Sequence, residues 1–129
     1  QATCNLPEPS VAVQLERASD AGMAVIIKEA VANGRLTARN DRPEDAAAMR
    51  TLDEVAGTHG SGRDAIAIAA LLARPWVDMV LSGAGTEAQL AANLEALEIE
   101  LSTEECGVLD GLAEPADSYW RTRSALSWN

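Results

Sequence analysis

Apolar positions along this chain alternate between short continuous runs and longer stretches at helical spacing. The opening QATCNL is a short run halted by Pro7 and Pro9, so it reads as a strand end followed by a stiff loop. Val11, Leu15, Ala18 and Met23 then recur near the 3.6-residue period, while Glu16, Arg17 and Asp20 fill the wet face. Ser10 is the candidate cap of this first helix and Gly22 its candidate stop. MAVII follows directly. Its apolar, β-branched composition predicts a strand buried on both faces, as in a parallel sheet covered by helices.

KEAVANGRLTARND, after that strand, is long for a connection, a length that signals function or disorder. Pro43 suits the first turn of a helix after the capping candidate Asp41, and Ala47, Met49, Leu52 and Val55 fall on one side of it, up to Gly57 or Gly60. SGRDAIAIAALLARP predicts a second helix, capped by Ser61, stopped by Pro75, and apolar enough from Ala65 to Ala73 to be buried all round. WVDMVLSG reads as a strand and TEAQLAANLEAL as a helix. STEECGVLDGLAEP is a further helix, opened by the capping box Ser102 to Glu105 and closed near Pro115. This alternation predicts an α/β fold with about three parallel strands, which leaves sheet edges to be covered by something else.

Composition narrows the class. The chain has 129 residues, 47% of them apolar, with three Trp and one Tyr, which describes one ordinary globular domain packed with aliphatic side chains. Ten Lys and Arg against twenty Asp and Glu give a net charge of -10, which argues against nucleic acid and anionic membrane as partners. Cys4 and Cys106 have no metal or disulfide spacing and read as structural thiols in a cytoplasmic protein. No window approaches the roughly 18 apolar residues of a membrane span. No metal cluster, nucleophile elbow or Walker loop is present, and lone His59 reads as a surface or capping residue.

The turn SGAGTEAQ, residues 82–89, admits two readings. Small residues before a helix N-terminus let a phosphate approach unpaired N–H groups. Equally, Thr86 and Gln89 form a capping box, and Gly85 merely permits the turn.

AVIIKEAVANGRL, LLARPWVDMVLSGAGTEAQLAANLEAL and YWRTRSALSWN, with LEIELSTEE between the last two, resemble the C-terminal part of aldo/keto reductases of bacterial type. The resemblance implies a partial (β/α)8 barrel: strands six to eight with their helices, residues 1–129 forming one C-terminal half-barrel. It implies NADP(H) as cofactor and NADPH-dependent reduction of a small-molecule carbonyl to an alcohol in the intact barrel. Gln1 sits where the family hydrogen-bonds the nicotinamide carboxamide. Lys28 stands where many relatives place a stacking aromatic. Glu29, Val31 and Asn33 match the loop along the pyrophosphate, with Glu29 departing from the usual Ser. Gly83, Ala84 and Gly85 match the turn whose backbone meets phosphate, and Gln89 and Asn93 the adenosine contacts.

The family's Asp, Tyr, Lys and His tetrad belongs to the first half of the barrel, so no catalytic residue is expected here. A missing N-terminal half-barrel, or self-association, would complete the fold. Two other classes remain open: a non-catalytic half-barrel that binds or assembles, and a shortened relative recruited to a non-redox reaction on a small molecule. Tyr119 is expected to pack against the barrel wall or border the substrate opening, and Arg121 and Arg123 to offset acidic neighbours.

Overall fold

Val25, Ile26 and Ile27 seat the middle strand of a three-stranded, wholly parallel sheet. The computed structural model describes residues 1–126. Its elements run β1 (Ala2–Thr3), α1 (Ala12–Asp20), β2 (Ile26–Lys28), α2 (Ala46–His59), α3 (Arg63–Leu72), β3 (Met79–Val80), α4 (Glu87–Leu94), α5 (Thr103–Asp110) and α6 (Ala116–Ala125). The sheet order is β1-β2-β3, with Ala2 opposite Ile27 and Ile27 opposite Val80. It is not closed.

Only one face of this sheet is covered, which corrects the expectation that MAVII is buried on both. Val25 and Ile27 are buried against helices, but Ile26 is only half-buried, and Met79 and Leu81 on the same open face are 52% and 40% exposed. The apolar run arises because both faces are apolar, one against helices and the other facing the concave interior of an unclosed barrel.

α3 occupies the centre. Residues 65–71 are all buried, because Ala65, Ile68, Ala69 and Leu71 join Cys4, Val25 and Ile27, while Ile66, Ala67 and Ala70 join Met49, Leu52, Val55, Leu109 and Tyr119. Alanines on both sides allow close approach of its neighbours, a use of small side chains that explains a core with so few aromatic rings.

Several caps differ from expectation. Ser10 does not cap α1; its hydroxyl donates to the Glu8 carboxylate, and Val11 takes the N-cap. Asp41 does not cap α2, since Pro43–Asp45 forms a 3-10 turn and Asp45 precedes the helix. Gly62, not Ser61, is the N-cap of α3; the Ser61 hydroxyl donates to Glu95 at 2.6 Å. Gly60 ends α2 at φ 63°, the left-handed conformation that favours glycine. The Ser102–Glu105 capping box forms in both directions.

The tail is a helix, α6, and Tyr119 on it is fully buried, its hydroxyl accepting from Asn5 Nδ2 at 2.8 Å. The end of the YWRTRSALSWN motif, residues 127–129, lies outside the described residues. Among the described residues no helix is long and apolar enough to cross a membrane.

Candidate functional site

The long connection after β2 is ordered, and its order comes from charge. Arg35, 6% exposed, pairs bidentately with Asp45 (Nη2 to Oδ1 2.7 Å, Nε to Oδ2 3.1 Å) and reaches Glu114 at 2.5 Å. Burial opposes the charges of Arg35 and Asp45, but their mutual hydrogen bonds outweigh it: the arginine's pKa is raised and the Asp45 carboxyl's lowered. Asn40 closes the ring by donating to the Asp45 carboxylate at 2.9 Å and to the Arg35 carbonyl at 2.7 Å. The loop's first residues depart from ordinary backbone geometry. Glu29, Ala32 and Asn33 have φ of 59°, 49° and 55°, a rare state for side-chain-bearing residues. Asn5 Nδ2 donating to the Glu29 carbonyl, and the Ala32 N–H donating to that same carbonyl at 2.8 Å, hold the turn.

Because the strands are parallel, this loop and the turn after β3 emerge at the same C-terminal strand ends, where ligands bind in such sheets. Between them runs a groove of about 400 Å³, within the range of small-molecule sites. Glu29, Val31, Asn33 and Gly34 form one bank; Ser82, Gly83, Gly85 and Gln89 form the other. Arg123 and Leu126 bring α6 to its edge. A second crevice of about 150 Å³ adjoins it, reaching Ala84 and Asn93.

Of the ten positions singled out in the sequence, Glu29, Val31, Asn33, Gly83, Gly85 and Gln89 line the groove, and Ala84 and Asn93 line its extension. Gln1 and Lys28 do not line it. Both are exposed, and strand alternation puts them on the open concave face of the sheet beside it.

The turn after β3 is tied down by its own helix. Thr86 caps α4 by accepting from the Gln89 N–H at 3.2 Å. The reciprocal half of the expected box is displaced by one residue: Gln89 Oε1 accepts from the Gly85 N–H at 2.8 Å. Asn93 Nδ2 donates to the Ser82 hydroxyl and carbonyl at 2.8 and 3.2 Å, and the Ala84 N–H donates to Ser82 Oγ at 3.3 Å. Two N–H groups of the expected cradle, those of Ala84 and Gly85, thus already bond side-chain oxygens. Gly83, at φ 65°, has open space where a Cβ would stand, so any side chain there would intrude on the groove or strain the turn.

The sequence pointed to no role for Arg39 and, for Arg123, only to offsetting acidic neighbours. Arg123 binds Glu29 bidentately across 94 residues (2.6 and 3.2 Å), the Glu29 bond raising its pKa, and its guanidinium lies 5.8 Å from the Trp120 ring. The acid it offsets is distant in sequence, which is why neighbouring residues gave no clue. Arg39, exposed, lines both the groove and its extension; its only signal was its place in a long basic loop. His59 bonds Glu105 at 2.9 Å, joining α2 to α5 far from the groove. Cys4 and Cys106 are free, and burial pushes the Cys4 thiol up to about 11, which keeps it unreactive. Among the described residues no group of His, Cys, Asp and Glu could hold a metal.

Parallel strands with helices on one face define part of a β/α barrel, and the groove lies at their C-terminal ends, the side on which such barrels place their sites. The chain belongs to the Aldo/keto reductase family, whose family model matches residues 11–114. It is similar to the crystal structure of a thermostable aldo-keto reductase, Tm1743, in complex with the inhibitor epalrestat, with 31% identity and a TM-score of 0.69 over 85% of this chain. The chain spans 38% of the length of that reductase. A search of curated proteins gives no significant match.

Proposed function

We propose that residues 1–129 form the C-terminal, cofactor-binding half of an aldo/keto reductase barrel, in which NADP(H) reduces a small-molecule carbonyl to an alcohol in the cytoplasm. The observation that carries this reading is the groove between the left-handed loop at 29–34 and the small-residue turn at 82–85. Its chemistry fits a dinucleotide. Gly83 leaves the backbone open to phosphate, Asn33 and Gly34 bend the opposite bank away, and Arg39 adds positive charge. The nicotinamide would lie toward the concave face, near Gln1 and Lys28, and the adenosine toward Gln89 and Asn93.

NADPH, when bound, supplies the hydride. The residues of this chain would bind and orient it: Gln1 would pair with the carboxamide, the Ala84 and Gly85 N–H groups would exchange their side-chain acceptors for phosphate, and Glu29 would keep Arg123 at the groove's edge. Lys28 offers charge instead of a stacking ring. The acid and base of the reaction come from the remainder of the barrel, which would also cover Met79 and Leu81.

Titration of NADPH fluorescence with the full chain tests this. Binding is expected to saturate, and Gly83→Asp, which adds a carboxylate in a strained backbone position, is expected to abolish it while the chain stays folded by circular dichroism. Retention of affinity in Gly83→Asp would overturn the assignment. A second reading, assembly without redox chemistry, is favoured by Leu90, Leu94 and Leu97, exposed at helical spacing on and just beyond α4. A stable homodimer indifferent to NADPH, measured by sedimentation, would select it.

A further inference from the structure

We infer that a cleft on the helix-covered side of the sheet, between α1, α3 and the end of α5, is a second ligand site, fitted to an uncharged, apolar molecule about the size of one aromatic ring. It shares no lining residue with the groove, and stands whether or not the groove takes a dinucleotide. The cleft lies on the seam between the two parts of the core. Cys4 and Leu71 belong to the cluster against the sheet, Leu6 and Ala70 to the cluster around α2. Ala12 on α1 and Ala70 on α3 leave room there that longer side chains would fill. The volume is about 180 Å³. An apolar cavity of about 150 Å³ is enough to hold benzene.

The polar groups of its wall are already answered. Buried Asn5 spends both Nδ2 hydrogens, on the Glu29 carbonyl at 3.0 Å and the Tyr119 hydroxyl at 2.8 Å, while its Oδ1 accepts from the Glu8 N–H at 2.9 Å. Arg74 pairs with Asp110, and burial keeps the Cys4 thiol protonated at neutral pH. A charged ligand would lose its water against Leu6, Leu71 and the Trp76 indole and find no free counter-charge. A neutral ring loses little water and can meet the indole edge to face. Asn5 also ties the cleft to the groove. The Glu29 carbonyl it holds is the one that the Ala32 N–H uses, at the start of the loop forming one bank. A ring seated against Asn5 is therefore felt at that bank.

The test titrates the isotope-labelled full chain with benzene and with benzoate and follows amide chemical shifts. Benzene is expected to shift Cys4, Asn5, Leu71 and Arg74 saturably, and Ala32 with them. Benzoate is expected to bind at least about tenfold more weakly, since burying its charge unpaired costs more than the about 1.4 kcal/mol that tenfold represents. Ala12→Leu, which fills the cleft from α1, is expected to weaken benzene by at least about tenfold while the chain stays folded by circular dichroism. Val13→Leu, at the exposed neighbouring position, is expected to leave it unchanged. Shifts that fail to saturate or that gather on Leu90, Leu94 and Leu97, an equal affinity for benzoate, or unaltered benzene binding in a folded Ala12→Leu each overturn the inference. The benzoate comparison is made on wild type, so it decides the matter should Ala12→Leu fail to fold.

Discussion

Replacing Arg35 by Met should remove the charge that organises the long loop while keeping the apolar stem of the side chain. Three contacts go at once: the bidentate bond to Asp45, the Glu114 bond, and a cation placed 5.8 Å from the Tyr119 ring. Breaking a buried ion pair from one side costs about 3–5 kcal/mol, because the remaining charge stays buried. The geometry points to the lower end. Glu114 is 29% exposed and can rehydrate, and Asp45 keeps the Asn40 bond and an Arg42 Nε at 3.2 Å, close in charge though off hydrogen-bond geometry. A loss of about 3 kcal/mol, at a urea m-value of about 2 kcal/mol/M, lowers the unfolding midpoint by about 1.5 M. Combining Arg35→Met with Asp45→Asn should recover about 1–3 kcal/mol of the summed single losses, since the two residues touch. Urea unfolding of the four proteins of this cycle, followed by circular dichroism, measures both quantities. A single-mutant loss below about 1 kcal/mol, or a strictly additive cycle, would refute the claim that this pair orders the loop.

Two further outcomes test other parts of the framework. Asn5→Ala should cost about 2 kcal/mol by urea unfolding, because it strands the buried Tyr119 hydroxyl and removes one of the two bonds made by the Glu29 carbonyl and by the Glu8 N–H; a loss within about 0.5 kcal/mol, the ordinary scatter of surface changes, would contradict it. The Glu105 carboxyl is held down to about 2 from 4.5, first by the Ser102 N–H and hydroxyl and then by His59. A depressed carboxyl contributes stability above its unfolded value, so this contribution should be complete above pH 4.5 and fade as pH falls toward 2. Comparing unfolding midpoints of wild type and Glu105→Gln across that window should show the curves converging in acid, and parallel curves would exclude the assignment.

Much of the fold could be read from spacing. The apolar run at 65–73 announced a central helix because no polar face was left for water, and Ser102 with Glu105 announced a helix start because both halves of the box are local. The caps at Ser10, Asp41 and Ser61 failed for one reason: each position competes with a partner remote from the helix start or upstream of it. Glu8 takes Ser10, Glu95 takes Ser61, and the Arg35 network moves the start of α2 to Asp45. The bank at 82–85 was legible in part, since small residues between a strand and a helix are a local signal, whereas Glu29, Val31 and Asn33 on the other bank were indicated by the family resemblance alone. Arg39 and Arg123 were not legible, because what matters about each is the bank it meets, decided by contacts across tens of residues.

The bond from Asn5 to Tyr119 spans 114 residues, and the Glu29–Arg123 pair spans 94. At a synthesis rate of roughly 5–20 residues/s, the ribosome needs about 5–23 s to deliver the second member after the first. During that interval Asn5 and Glu29 have each other and their local bonds, but lack the Tyr119 hydroxyl and the Arg123 guanidinium. The loop that forms one bank of the groove is therefore expected to mature last, after α3 has already condensed on the sheet through contacts closer in sequence. A nascent chain stalled before Tyr119 emerges would have the side of α3 that faces the sheet packed, but would lack both the ring that completes the other side and the hydroxyl that receives Asn5, so core and groove rim would be finished by the same late helix.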